Sequence, residues 1–323
     1  MRLAIFGGIS VGLLMASTAY AADTTNVAAV IKGLDNPFFQ YMRQGIDAQA
    51  KTLGVNVSIQ AAANMGDATG QADKLTAMAM QDYACYLVNP ISVSNLVQAL
   101  VPVAQKQKPI VNIDSTIDAT QAKTAGFAVS TYIGTDNVAA GRQAGEEFKK
   151  ALPNGGKIAL FVGTMDADNA RERVQGIKES IAGTKIDLVD VFTDQVDSAK
   201  AKANMENVLV KYPDIALLSG LWSYETPLIY DAVKAAGKAG KVKIVGFDED
   251  QRTLRGIADG TIESTVVQQP FEFGYLSATN IIKTLNGDKS WIPADSKLIV
   301  PTQVISKTNV AEFTTKMKDL LKK

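Results

Sequence analysis

Histidine is absent from all 323 residues. That removes the imidazole base of a hydrolytic triad, the usual zinc clusters and the commonest pH switch. Cysteine is nearly absent: Cys85 stands alone, so no intramolecular disulfide forms and no thiol lies near the start of the chain to carry a lipid. Neither sign of charge is in excess, with 33 basic and 33 acidic residues, so the composition gives no support to nucleic-acid binding. The phosphate-loop and GxGxxG patterns and an EF-hand loop are missing, no GxSxG elbow lies beyond the first 21 residues, and no metal or cofactor is expected. Beyond the first residues no run approaches roughly 18 consecutive apolar residues, so no membrane span is expected in the mature protein.

The chain does have an apolar stretch from Leu3 to Met15 behind Arg2, followed by small residues and Ala19-Tyr20-Ala21. This reads as a secretory signal over 1–21, cut after Ala21 or close by, and implies a soluble protein of the periplasm. An exported chain without disulfides needs a sizeable core, and 46% apolar residues can supply one. Within Tyr83 to Val88, Cys85 is expected to be an inert core thiol.

After the signal, β-branched runs alternate with helical patterns, the mark of parallel α/β structure. Strands are expected at 26–31, 55–60, 84–88, 109–113 and 127–132, with helices at 37–53, 68–81 and 92–107 between them. The order then starts again, with strands at 157–161, 187–192, 215–218, 242–246, 261–268 and 297–306. Helices are expected at 136–150, 169–181, 198–211, 224–236, 250–258, 271–285 and from 310. The fold class is therefore α/β, with two doubly wound parallel-sheet lobes. With no conventional linker, the chain is expected to cross between lobes at Ser130-Thr131, Gln268-Gln269 and Val300-Pro301. The lobes are then 22–131 plus 269–300, and 132–268 plus 301–323.

Polar residues at strand ends are the candidate site, because ligands of open α/β sheets lie beyond the carboxyl ends of the strands. Asn36-Pro37-Phe38-Phe39 opens the first helix: Asn36 can cap it, Pro37 suits its first turn, and Phe39, Met42, Ile46 and Leu53 mark its buried face. Phe38 falls off that face and is either core or ligand-facing. Asp114 ends one buried-type strand and Asp248 another, so the two either grip a ligand from opposite sides or merely cap turns. Arg171 and Arg173 point in different directions from their helix, and Arg171 is the one assigned to the cleft, against the alternative of a solvated salt-bridge helix. Trp222 follows the strand ending at Leu218 and either covers an apolar ligand face or packs under the next helix. Gln268, at a candidate crossing, offers a donor and an acceptor.

Asn36-Pro37-Phe38-Phe39, Asn89-Pro90, Ile113-Asp114, Ile133 to Asn137, Ala170 to Arg173 and Val245 to Asp248 together resemble the ribose-binding-protein family of periplasmic substrate-binding proteins. The resemblance covers nearly the whole chain after the signal. It implies a type I periplasmic binding fold, with two lobes joined by three crossover strands and a monosaccharide held in the interlobe cleft. It also implies ligand contacts from Asn36, Phe38, Phe39, Asp114, Arg171, Trp222, Asp248 and Gln268. Further candidates are Lys32, Ser115, Asn89 and Val196, several of which depart from the ribose pattern. That pattern has a small polar residue at Lys32, arginine at Ser115, asparagine at Trp222 and a phenylalanine near Val196. Ribose is thereby displaced by another monosaccharide, a sugar alcohol or a derivative, with Lys32 suited to an anionic substituent. The implied partners are the permease of an ABC importer or a chemoreceptor or signalling kinase, around a monomeric protein that is not an enzyme. Carbohydrate processing by Asp114 and Asp248 is the enzymatic alternative.

Overall fold

A computed structural model describes residues 25–320, so the expected signal over 1–21 lies outside the described residues. The chain runs β1 (Asn26–Ile31), α1 (Pro37–Leu53), β2 (Asn56–Ala61), α2 (Ala68–Ala79), β3 (Cys85–Val88), α3 (Val97–Gln105), β4 (Ile110–Ile113), α4 (Ala119–Thr124) and β5 (Thr131–Gly134). It continues as α5 (Asn137–Ala151), β6 (Gly156–Val162), α6 (Asp168–Ile181), β7 (Ile186–Thr193), α7 (Ser198–Lys211), β8 (Ile215–Gly220), α8 (Glu225–Ala235), β9 (Lys243–Phe247) and α9 (Gln251–Asp259). It closes with β10 (Ser264–Val267), α10 (Pro270–Leu285), β11 (Lys297–Ile299), β12 (Gln303–Ser306) and α11 (Val310–Leu320).

Two sheets result, ordered β11-β5-β4-β3-β1-β2 and β12-β10-β9-β8-β6-β7, which correspond strand for strand. Strand pairs are parallel except β10 with β12. Strands covered by helices on both faces are apolar on both, and β1 shows this: Val27, Ala29 and Ile31 enter one core cluster while Ala28 and Val30 enter another. Cys85 sits buried in the first of these, and burial pushes its thiol up to about 12, as befits an inert core residue.

Local signals set α1. The Asn36 side chain accepts from the Phe38 N–H at 3.0 Å, Pro37 occupies the first turn, and Gly54 closes the helix in the left-handed region at φ 65°. Leu53 departs from the expected buried stripe and is 38% exposed, since the helix ends there.

Glycines allow the helix pairs to pack backbone to backbone. A Cβ on Gly45 would lie 2.0 Å from the Phe271 carbonyl oxygen, and one on Gly274 2.0 Å from that of Met42, which brings α1 and α10 together. The second lobe repeats the device between α5 and α6, where a Cβ on Gly176 would lie 2.0 Å from the Val138 oxygen.

Several boundaries differ from expectation. The strand expected at 127–132 is instead Thr131–Gly134, paired with β4 and β11, so the chain leaves the first sheet after Gly134 and not at Ser130-Thr131. The proposed lobe boundary at 131 thus falls inside a strand of the first lobe. The run from 297 to 306 is two strands, one in each sheet, with the crossing at Val300 to Thr302. Between β10 of one sheet and α10, which packs on α1 of the other lobe, the chain crosses at Gln268-Gln269. The helix expected at 92–107 is instead Val97–Gln105, and ahead of it Ser92 forms a reciprocal side-chain turn with Asn95.

Gly274→Ala and Gly176→Ala each force a methyl into a backbone carbonyl. Each is expected to cost about 1–3 kcal/mol of stability and to lower the midpoint of thermal unfolding followed by circular dichroism.

Candidate ligand-binding site

The carboxyl ends of the two sheets face each other across a cavity of about 230 Å³. Residues placed immediately beyond strands supply much of its wall: Lys32 after β1, Asp114 after β4, Asp248 after β9 and Gln268 after β10. Asn36, Phe38, Phe39, Trp222 and Val196 also line it. Phe38 is both core and wall: it is 5% exposed, meets Phe39 edge to face at 5.1 Å and touches the same core cluster. The ring thus belongs to the core and borders the cavity.

Asp114 and Asp248 adopt φ of 65° and 66°, a left-handed conformation that is costly for residues with a side chain. Each is held there by a hydroxyl from the neighbouring strand. Tyr132 donates to the Asp114 carbonyl at 3.0 Å, and Thr265 donates to that of Asp248 at 2.9 Å.

Their charges are treated differently. Asp114 Oδ2 receives the Asn89 amide at 2.9 Å, the Ser115 hydroxyl at 3.2 Å and the Lys32 ammonium at 3.5 Å. Lys32 also donates to Ser115 at 2.6 Å and lies 5.7 Å above the Phe39 ring. Its charge is thus engaged within the wall by Asp114. Asn89 and Ser115 are buried behind the wall, where they orient Asp114 and Lys32. Asp248 receives the Gln268 amide at 2.8 Å. Burial pushes its carboxyl up to about 6, opposed by Arg173 and Gln268 and reinforced by Asp114.

Arg171 requires correction. It is exposed and donates to the Met165 carbonyl at 2.6 Å, whereas Arg173, 1% exposed, lines the cavity. Helical phase decides between them: Ala170, Arg173, Val174, Ile177 and Ile181 form the buried stripe of α6, and Arg171 lies opposite. The Arg173 guanidinium stacks 4.5 Å above Phe247 and donates to Asn137 at 3.0 Å and to the Leu221 carbonyl at 2.6 Å. Its Nη2 has no protein partner.

Three further buried polar atoms in wall residues share that condition: Asn169 Oδ1, Trp222 Nε1 and Gln268 Oε1. The Gln268 orientation follows from chemistry, since its amide nitrogen must face the Asp248 carboxylate. Residues that carry donors and acceptors without partners therefore surround one small volume. Buried polar groups ordinarily find partners, and a solute rich in hydroxyls can give and take in this way.

The Trp222 ring lies against Gly163, where a Cβ would come within 2.0 Å of it. Behind the loop, Glu225 Oε2 accepts the Leu221 and Trp222 N–H groups, both at 2.8 Å. Val196 follows Gln195 with both residues at positive φ, 63° and 60°, and its N–H donates to Asp194, which also receives the Tyr224 hydroxyl. The lobes meet directly: Asn36 donates to Ser223 at 2.7 Å, and the Thr116 N–H and hydroxyl donate to Asp168. The cleft is closed.

The model of the periplasmic binding protein domain matches residues 27–289. The chain belongs to this family. It is 33% identical over 298 residues to the D-allose-binding periplasmic protein of Escherichia coli, covering 91% of this chain and 94% of that one. The ribose import binding protein of Haemophilus influenzae is 29% identical over 298 residues, covering 92% and 98%. Among solved structures, an ABC transporter solute-binding protein from Agrobacterium vitis with bound D-fucose is 26% identical, with a TM-score of 0.83 and coverage of 90% and 98%. The resemblance to ribose-binding proteins thus holds across the chain, in a family of binding proteins and not enzymes.

Met65, Asn169, Gln195 and Ser223 also line the cavity and lie outside the set of contacts expected from sequence. Asn169 stands four residues before Arg173 on one face of α6, a spacing that carries a readable signal. Met65 and Gln195 lie in loops whose course depends on contacts distant in sequence.

Arg173→Ala should remove a buried guanidinium and strand its partners, costing about 3 kcal/mol or more, whereas Arg171→Ala should stay within about 1 kcal/mol. Chemical denaturation of the two variants side by side checks this, and equal losses would reverse the assignment.

Proposed function

We propose that this protein is the periplasmic solute-binding component of an ABC importer and reversibly captures a neutral monosaccharide, sugar alcohol or close derivative. The observation that carries the reading is the set of buried donors and acceptors without protein partners around a closed interlobe cavity. Arg173 and Trp222 donate, Asn169 and Gln268 accept, and the carboxylates of Asp114 and Asp248 take hydroxyl hydrogens from opposite lobes. Phe38, Phe39 and Trp222 offer ring faces to C–H groups. Engagement of Lys32 by Asp114 and Ser115 favours a neutral solute. The sugars in the relatives' names, allose and ribose, and the D-fucose bound to the Agrobacterium vitis protein support a sugar.

Capture proceeds by hinged closure at the three crossings. A solute that contacts both lobes favours the closed arrangement, and the permease then distinguishes loaded from open protein. The N-terminal apolar segment serves export to the periplasm, and among the described residues no helix is long and apolar enough to cross a membrane.

Titration calorimetry against pentoses, hexoses, polyols and sugar acids tests the reading: a neutral member should bind, and absence of binding at millimolar concentration would refute it. With the tightest ligand, Asp248→Ala removes charge-assisted hydrogen bonds and should weaken binding by about a hundredfold or more. Unchanged affinity would remove Asp248 from the site.

A further inference from the structure

Glu249 follows Asp248 in the turn between β9 and α9. It is only 4% exposed, and neither of its carboxylate oxygens has a hydrogen-bond partner on another residue. The space around it is a seam between lobes, a cavity of about 10 Å³ walled by Pro37 and Tyr41 of the first lobe and by Ser223 and Asp250 of the second. The groups that face it are the Tyr41 phenol on α1 and the acids Asp248 and Asp250 on its own turn. Arg255 of α9 and Lys318 of α11 share an outer groove with it, yet neither pairs with its carboxylate.

A carboxylate in such a place pays desolvation without a compensating cation. Burial first, then repulsion from Asp248 and Asp250, holds the acid well above the ordinary carboxylate range. The wall from α1 is contributed by the opposite lobe, so this burial belongs to the closed arrangement. We propose that Glu249 couples lobe closure to proton uptake, its carboxylate ionised when the lobes stand apart and protonated when α1 seals over it. The proposal goes beyond sugar capture and rests on that reading only in taking closure to accompany ligand binding.

The sign follows from linkage. Below the ordinary glutamate value of about 4.3 the acid is protonated in both arrangements, and pH has no effect through it. Between that value and the raised one, closure binds one proton more, so apparent ligand affinity falls about tenfold for each unit of rising pH. Above the raised value the closed arrangement holds the charge at full cost, and the dependence ends.

The tightest sugar from the panel is titrated into wild-type protein and Glu249→Gln in phosphate and in Tris at neutral pH. Because the two buffers differ in ionisation heat, the difference gives the protons taken up. Wild type should take up close to one proton more than the variant, and the variant should bind about tenfold or more tighter at about pH 8 with the slope flattened. Equal proton uptake in the two proteins overturns the proposal. A second arm needs no sugar. Spin labels on Met80→Cys and Val210→Cys, sites 83% and 82% exposed on opposite lobes, report the interlobe distance. The closed fraction should rise as pH falls from about 8 to about 7, above the range in which Asp248 titrates, in wild type and stay level with Glu249→Gln. If no sugar binds, the capture reading fails and this arm decides on Glu249 by itself: a closed fraction indifferent to pH, or the same trend in both proteins, overturns it.

Discussion

Two aspartates held at positive φ set the geometry on which the rest of the cleft depends. A residue with a Cβ in this region costs of the order of 1–3 kcal/mol, so something must hold it there. At Asp114 the holder is the Tyr132 hydroxyl and at Asp248 the Thr265 hydroxyl, each reaching from the adjacent strand to the aspartate carbonyl. The turn takes the chain off the strand line and leaves the carboxylate at the cavity wall. Both lobes solve the problem in the same way, and their acids come close enough for Asp114 to raise the pKa of Asp248.

The lobes do not neutralise these acids equally. Asp114 has an ammonium, an amide and a hydroxyl on one oxygen, and Asn89 orders the set by also binding the Lys32 N–H and the Ile113 carbonyl. Asp248 has the Gln268 amide at hydrogen-bond distance, while the direct bonds of Arg173 go to Asn137 and Leu221. The second lobe therefore keeps more of its polar capacity for a ligand. Donors from a hydroxylated solute lower the cost of the Asp248 charge, which gives the closed cleft a reason to prefer the loaded state.

The parts of this arrangement legible in sequence were those set by local chemistry. An apolar run ending in Asp114 or Asp248, an Asn-Pro helix start at Asn36, and glycine after Leu53 each announce themselves within a few residues. Charge type alone does not separate Arg171 from Arg173, but the stripe from Ala170 to Ile181 fixes the helical phase and puts Arg173 inside. The run from Lys297 to Ser306 has strand character throughout, and nothing in strand propensity says that half of it joins each sheet. Lys32 shows a different limit. Its place at the wall follows from ending β1, but its commitment to Ser115 and Asp114 joins residues more than eighty positions apart. Met65 and Gln195 carry no local signal, since positive φ at Gln195 and Val196 is imposed by contacts such as those made by Asp194.

Trp222 narrows the chemistry of the second wall. Asparagine, which the ribose pattern has at this point, offers a donor and an acceptor, whereas the indole offers a donor alone and adds an apolar face. Gly163 gives the ring room and Glu225 fixes the backbone that carries it, so the ring's position is built and not incidental. Its Nε1 has no protein partner and the ring borders the cavity. A solute matched to this wall must place an oxygen lone pair beside the indole N–H and a patch of C–H groups on the ring. A sugar ring or a folded polyol presents both together, while a small anion without C–H groups leaves the indole face without a match.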